Sequence, residues 1–71
     1  MNSQELLKEA LDAKKVGSDL FLYIPKGSYP KRFPKGKFVS EEFIEDKVVR
    51  VYRFDPDKII QWLKNQGIIN L

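Results

Sequence analysis

The N-terminal residues place apolar side chains at the spacing of an α-helix. One side of this segment collects Leu6, Leu7, Ala10 and Leu11, and the opposite side is charged. An amphipathic stripe of this kind is typical of a helix that packs against a core. Asn2 with Glu5 three residues later fits a capping box, and Gly17 fits the left-handed residue that ends a helix. The pattern predicts a helix over residues 3–16.

Residues 19–25, DLFLYIP, form a run that is apolar on both sides. One parity holds Leu20, Leu22 and Ile24, and the other holds Phe21 and Tyr23. Strands that are apolar on both faces are typical of central positions in a sheet. Pro25 has no N–H to donate to a neighbouring strand, so we expect the strand to end there.

Residues 37–54, KFVSEEFIEDKVVRVYRF, predict a β-hairpin. The first strand covers residues 37–44, the turn lies at Glu45 and Asp46, and the second strand covers residues 47–54. The second strand is rich in β-branched and aromatic residues. The segment SEEFIED leaves an alternative open, a short helix capped by Ser40.

The last helix has clear signals at both ends. Its N′, N-cap, N1 and N4 positions are filled by Phe54, Asp55, Pro56 and Ile59. These residues supply a cap, a preset φ and a hydrophobic staple. At the other end, Gly67 suits C′, and Ile68 at C″ would lie over Leu63, as in a Schellman motif. The apolar face is predicted to consist of Ile59, Ile60 and Leu63, with Trp62 at its margin.

The resulting order is α-β-β-β-α, which predicts one α+β domain over residues 1–71. Its simplest form is a three-stranded antiparallel sheet with both helices packed on one face. A chain of 71 residues buries only about 60% of the surface that its unfolded form exposes. The chain contains no cysteine and no histidine, which excludes disulfides and the usual zinc and iron–sulfur sites. The fold must therefore rely on packing and helix caps, with self-association as a further option.

The absence of cysteine and histidine also narrows the classes of function that the chain can have. Histidine is the side chain most readily poised near neutral pH, and cysteine is the best intrinsic nucleophile, so triads built on either are excluded. Carboxylate-pair or serine–lysine chemistry stays open, but a domain this small rarely encloses a substrate. We therefore expect a non-enzymatic protein with no cofactor and no metal. The acidic residues Glu41, Glu42, Glu45 and Asp46 read as a solvated turn, because their spacing matches no calcium loop. No apolar run approaches the roughly 18 residues that span a bilayer, and the N-terminus is polar. We therefore expect a soluble, cytoplasmic protein.

Residues 26–37, KGSYPKRFPKGK, are the least ordinary segment, and we call them the basic loop. Two prolines and two glycines argue against regular structure. The formal net charge of the chain is +3, whereas the basic loop alone carries +5, so the rest of the chain carries −2. The five cations are Lys26, Lys31, Arg32, Lys35 and Lys37. Loops of this length are usually functional or disordered.

This composition predicts a nucleic-acid-binding or nucleic-acid-associated regulatory module. Ammonium and guanidinium groups neutralise phosphates and release counterions, and the interleaved Tyr29 and Phe33 suit stacking on unpaired bases. Arg50 and Arg53 extend the candidate surface from the neighbouring strand, although their parity puts them on opposite faces. In the alternative interpretation, the lysines serve solubility, and the two rings hold the loop on the core.

A protein-interaction module, such as an inhibitor or adaptor, is the competing hypothesis. It would bind an acidic protein through the basic loop, or use Trp62 and the apolar tail as anchors. The tail residues Ile68, Ile69 and Leu71 also offer a patch for a homodimer. An anionic membrane surface is a third option for such a loop. The sequence does not distinguish DNA, RNA and protein as the partner.

Overall fold

The computed structural model describes residues 3–67, which form five elements in the predicted order. These elements are α1 (Ser3–Val16), β1 (Leu20–Pro25), β2 (Lys37–Ile44), β3 (Lys47–Phe54) and α2 (Pro56–Asn65). The α+β class and the three-stranded antiparallel sheet are confirmed. The short helix considered after Ser40 is wrong, because β2 continues as a strand to Ile44. Asn2 and the tail residues Ile68, Ile69 and Leu71 lie outside the described residues.

Helix α1 ends as its sequence predicts, but its buried face differs slightly. Gly17 has a φ of 73°, and the Ser18 N–H donates to the Ala13 carbonyl at 2.9 Å, as in a Schellman motif. The buried residues are Leu6, Ala10 and Ala13. Leu11, predicted on this face, is 44% exposed. It lies about 140° around the helix from Leu6, since each residue turns the chain by about 100°.

Helix α2 confirms its predicted start. The Asp55 carboxylate accepts a hydrogen bond from the Asp57 N–H at 3.0 Å, and Pro56 occupies the first turn. Phe54 and Ile59, the two halves of the staple, are both buried in the core. At the other end Gly67 has a φ of 71°. The contact predicted for Ile68 falls outside the described residues.

Strand β3 occupies the centre of the sheet, whose order is β1-β3-β2. The prediction that β1 is central is therefore wrong. The reason is visible in its side chains: Leu20 and Leu22 are buried, whereas Phe21 and Tyr23 are exposed on the other side of the strand. Apolar residues on both faces of β1 thus do not reflect burial of both faces.

Both helices cover the same face of the sheet, as predicted. The core joins Leu20, Leu22 and Phe54 of the sheet to the apolar stripes of α1 and α2. No element formed by residues 3–67 covers the opposite face. We call that surface the open face; its side chains come from Phe21 and Tyr23 of β1, from Val49, Val51 and Arg53 of β3, and from the β2 residues paired with them.

The connection between β1 and β2 is a crossover. Each of these strands is antiparallel to β3, so β1 and β2 are parallel to each other. Parallel strands cannot be joined by a tight turn, and here the chain must return along the sheet and pass over the central strand. It does so on the helix side, where Tyr29 packs against Tyr52. The length of the basic loop therefore has a topological cause, and its charge remains to be explained.

Candidate nucleic-acid interface

The two aromatic residues of the basic loop are packed on the core. Tyr29 lies edge-on to Tyr52, with ring centroids 5.0 Å apart. Phe33 makes similar contacts with Phe54 at 5.4 Å and with Trp62 at 4.9 Å. Both loop rings are half-buried. This packing agrees with the alternative interpretation of the sequence, in which Tyr29 and Phe33 hold the loop on the core and the lysines remain at the surface.

The hydroxyl of Tyr29 further fixes the path of the loop. It donates a hydrogen bond to the Pro34 carbonyl at 2.5 Å and accepts one from the Gly36 N–H at 2.9 Å. Gly36 itself lies so close to the Phe54 ring that a Cβ atom would be 2.6 Å from it. The Tyr29 hydroxyl thus links Pro34 and Gly36 in a part of the loop that has no regular secondary structure.

The cations of the basic loop project from this anchored backbone into solvent. All five are exposed, and none forms an ion pair with a carboxylate among residues 3–67. Arg32 has a φ of 62°, in the left-handed region that non-glycine residues rarely occupy. It lies in the turn closed by a hydrogen bond from the Phe33 N–H to the Pro30 carbonyl at 3.4 Å.

Of Arg50 and Arg53, only Arg53 lies beside a loop cation, because it pairs with Lys37 of β2. Strand register puts the two arginines on opposite faces of β3, as their parity predicted. Arg50 donates to Glu41 at 3.2 Å; neighbouring Tyr52 and then Glu41 raise its pKa above the ordinary arginine value. The Nε atom of Arg53 lies 3.4 Å from a carboxylate oxygen of Asp19 on the open face. Both guanidinium groups are therefore engaged within the chain.

The acidic residues near the hairpin are not gathered into a site. Glu41 and Glu42 pair with consecutive positions of β3 and so point to opposite faces. Across residues 3–67 there is no group of three carboxylates close enough to share a metal ion. Nor does any helix in that part of the chain have the length and apolarity needed to cross a membrane.

A shallow apolar groove of about 270 Å³ lies beside the edge strand β1. Its lining includes Leu6, Leu22, Phe33 and Trp62, and the described part of the lining contains no lysine, arginine or carboxylate. Trp62 is half-buried here, and its Nε1 has no hydrogen-bond partner in the described structure. The described lining of the groove is thus apolar or uncharged.

Sequence reasoning missed the exposed rings of Phe21 and Tyr23. Their signal was present in the double-sided apolar pattern of DLFLYIP, which we interpreted as a central strand. Whether such a strand lies at the edge or in the centre of the sheet depends on strand order, and the residues of one strand do not encode that order.

Comparison of the chain with protein-family models, with curated proteins and with solved structures gives no match. The geometry and charge of this chain are therefore the basis for its proposed function.

Proposed function

We propose that the chain is a nucleic-acid-binding regulatory module without enzymatic activity, and that the basic loop contacts phosphates. The contacts are of the positioning kind, made by charge and carrying little sequence information. The cations nominated for this role are Lys26, Lys31, Arg32, Lys35 and Lys37.

One observation carries the proposal: the loop concentrates five cations on an anchored backbone. Tyr29 and Phe33 hold the segment against the core, so the five exposed cations are displayed along a fixed path from the end of β1 to the start of β2. Like charges along one segment repel, and a polyanion relieves that repulsion while its own counterions are released. The chain carries ten acidic residues, yet none within residues 3–67 pairs with a loop cation.

The conformation of Arg32 is a second support. A non-glycine residue in the left-handed region costs roughly 1–2 kcal/mol relative to the right-handed one. Such residues concentrate at functional sites, where the side chain is needed despite the backbone cost. Arg32 lies at the turn of the loop, with Lys31 before it, which suits contact with a phosphate backbone.

The test compares two triple variants of equal charge. Changing Lys31, Arg32 and Lys35 to alanine removes three loop cations. The control changes Lys8, Lys15 and Lys58, which are exposed on the helices. We expect the loop variant to bind an oligonucleotide more weakly and its salt slope to fall by about one for each lost phosphate contact. Equal affinity in the two variants would contradict the role of the loop.

An acidic protein is the second candidate partner, because the packing of Tyr29 and Phe33 on the core leaves charge as the loop's main means of recognition. A loop that presents charge without free ring faces does not by itself distinguish phosphates from carboxylates. Affinity purification after nuclease treatment separates the two. Recovery of one stoichiometric protein would favour this second function, and nuclease-sensitive recovery would favour the first. Cytoplasmic location and a homodimer stay predictions from the sequence.

A further inference from the structure

The open face presents two aromatic rings to solvent. Phe21 is 50% exposed and Tyr23 is 59% exposed, although aromatic side chains contribute much of a domain's burial. The two residues lie two positions apart on β1, so their side chains leave the same side of the strand about 7 Å apart. The sheet, and not a flexible loop, therefore fixes their spacing.

Strand register places cations beside these rings. Phe21 pairs with Arg53, and Arg53 pairs with Lys37 on its other side, so the three side chains form one row across the sheet. Lys37 forms no ion pair within residues 3–67. Arg53 contacts Asp19, an exposed pair of the kind that contributes little and that a phosphate can replace.

The remainder of the open face is uncharged in the middle and carries charges of both signs at the end next to the turn between β2 and β3. Tyr23 pairs with Val51, which pairs with Ser40, so the second row carries no charge. Glu42 lies in the next row, and Lys47 lies beyond it. The positive charge nearest the rings is thus concentrated at the end formed by Arg53 and Lys37.

We propose that the open face is a stacking platform for single-stranded nucleic acid. Unpaired bases would lie on Phe21 and Tyr23, and phosphates would contact Arg53 and Lys37. Base–aromatic stacking beside a cationic path is a general mode of single-strand binding. In a duplex the base faces are already stacked on their neighbours, so these rings select single strands.

This inference rests on the proposed function and narrows its ligand. Lys37 belongs both to the basic loop and to the open face, so one strand can contact both surfaces around the edge at β2. A second copy of the chain is the competing occupant of an apolar sheet face. The row of Phe21, Arg53 and Lys37 favours a phosphate-bearing ligand, because two cations next to two rings complement phosphates next to bases.

The experiment measures binding of a labelled single strand of about 12 nucleotides, within the range of single-strand sites, and of a duplex of the same sequence. The variant is Phe21→Leu with Tyr23→Leu, which removes both rings and keeps apolar strand residues. The control is Phe43→Leu, which removes a ring that is 72% exposed on the helix-side face of β2. We expect the double variant to bind the single strand at least roughly tenfold more weakly, with the duplex unaffected.

Ultraviolet cross-linking of the wild-type protein to the single strand gives a second readout that needs no variant. We expect cross-linked nucleotides on the peptide containing residues 20–25. Unchanged affinity in the double variant, or cross-links confined to other peptides, would overturn the platform while leaving the loop variant to test the proposed function. Failure of the wild-type protein to bind either oligonucleotide would overturn both. A wild-type dimer that the double variant dissociates, with no single-strand binding, would assign the open face to a second copy.

Discussion

At the scale of single residues, Gly36 determines how closely the basic loop can approach the core. A Cβ atom there would lie 2.6 Å from the Phe54 ring, and Phe54 is 3% exposed, so the ring has little room to move. We predict that Gly36→Ala lowers the free energy of unfolding by about 1–3 kcal/mol, the usual cost of overpacking. Urea titration followed by Trp62 fluorescence measures it.

Lys35→Ala is the matched control, because Lys35 is the exposed neighbour of Gly36. Its stability should stay within about 0.5 kcal/mol of wild type, as for most surface changes. A Gly36→Ala protein as stable as the control would show that the loop does not pass this close to Phe54.

At position 32 the backbone conformation favours glycine, whereas the proposed binding requires the arginine side chain. The φ of 62° at Arg32 suits glycine better than arginine. We therefore predict that Arg32→Gly leaves stability unchanged or raises it by about 0.5–1 kcal/mol, while oligonucleotide affinity falls. Thermal unfolding and fluorescence anisotropy measure the two effects. A loss of stability together with unchanged affinity would mean that Arg32 serves the fold.

The residue scale also shows what the sequence alone can identify. The charges of the basic loop can be counted from the sequence alone, and its five cations are all exposed in the structure. The roles of Tyr29 and Phe33 were not decided, because a ring between lysines suits either stacking on bases or packing on a core. The close approach at Gly36 depends on the crossover and has no local signal.

At the scale of elements, the hairpin between β2 and β3 has an unusual turn. Glu45 and Asp46 have φ values of 49° and 63°, and two positive values in a two-residue turn define the geometry that favours Asn-Gly. We predict that Glu45→Asn with Asp46→Gly raises the free energy of unfolding by about 1 kcal/mol. Chemical denaturation measures the change.

The control for the hairpin is Glu45→Gln with Asp46→Ser, which removes the same two charges without favouring a positive φ. It should gain less stability than the Asn-Gly variant. Equal gains in both would attribute the effect to charge and contradict the account of the turn.

Element boundaries were predictable because their signals are local. The cap at Asp55, the stop at Gly17 and the turn at Glu45 and Asp46 each act within a few residues of the chain. The position of β1 in the sheet was not predictable in the same way. Strand order is set by pairing with β3, about thirty residues away, and Phe21 and Tyr23 carry the same pattern at an edge as they would in a centre.

At the scale of the whole molecule, the length of the basic loop and its charge have separate causes. The crossover accounts for a long connection between β1 and β2, and the ring contacts account for its order. Neither accounts for +5 on a segment of a chain whose remainder carries −2. The length of the loop is thus weaker evidence for function than the sequence suggested, and the segregation of charge into this one anchored, exposed segment is the stronger evidence.

The central claim is that the basic loop recognises nucleic acid, and amide chemical shifts of the wild-type protein test it most directly. The protein is titrated with a single-stranded oligonucleotide, with a duplex and with an acidic peptide. We predict that both nucleic acids shift the amides of residues 26–37, except at Pro30 and Pro34, which have no amide proton, and that added salt reverses these shifts. Shifts of these amides with the acidic peptide, and none with either nucleic acid, would contradict the claim.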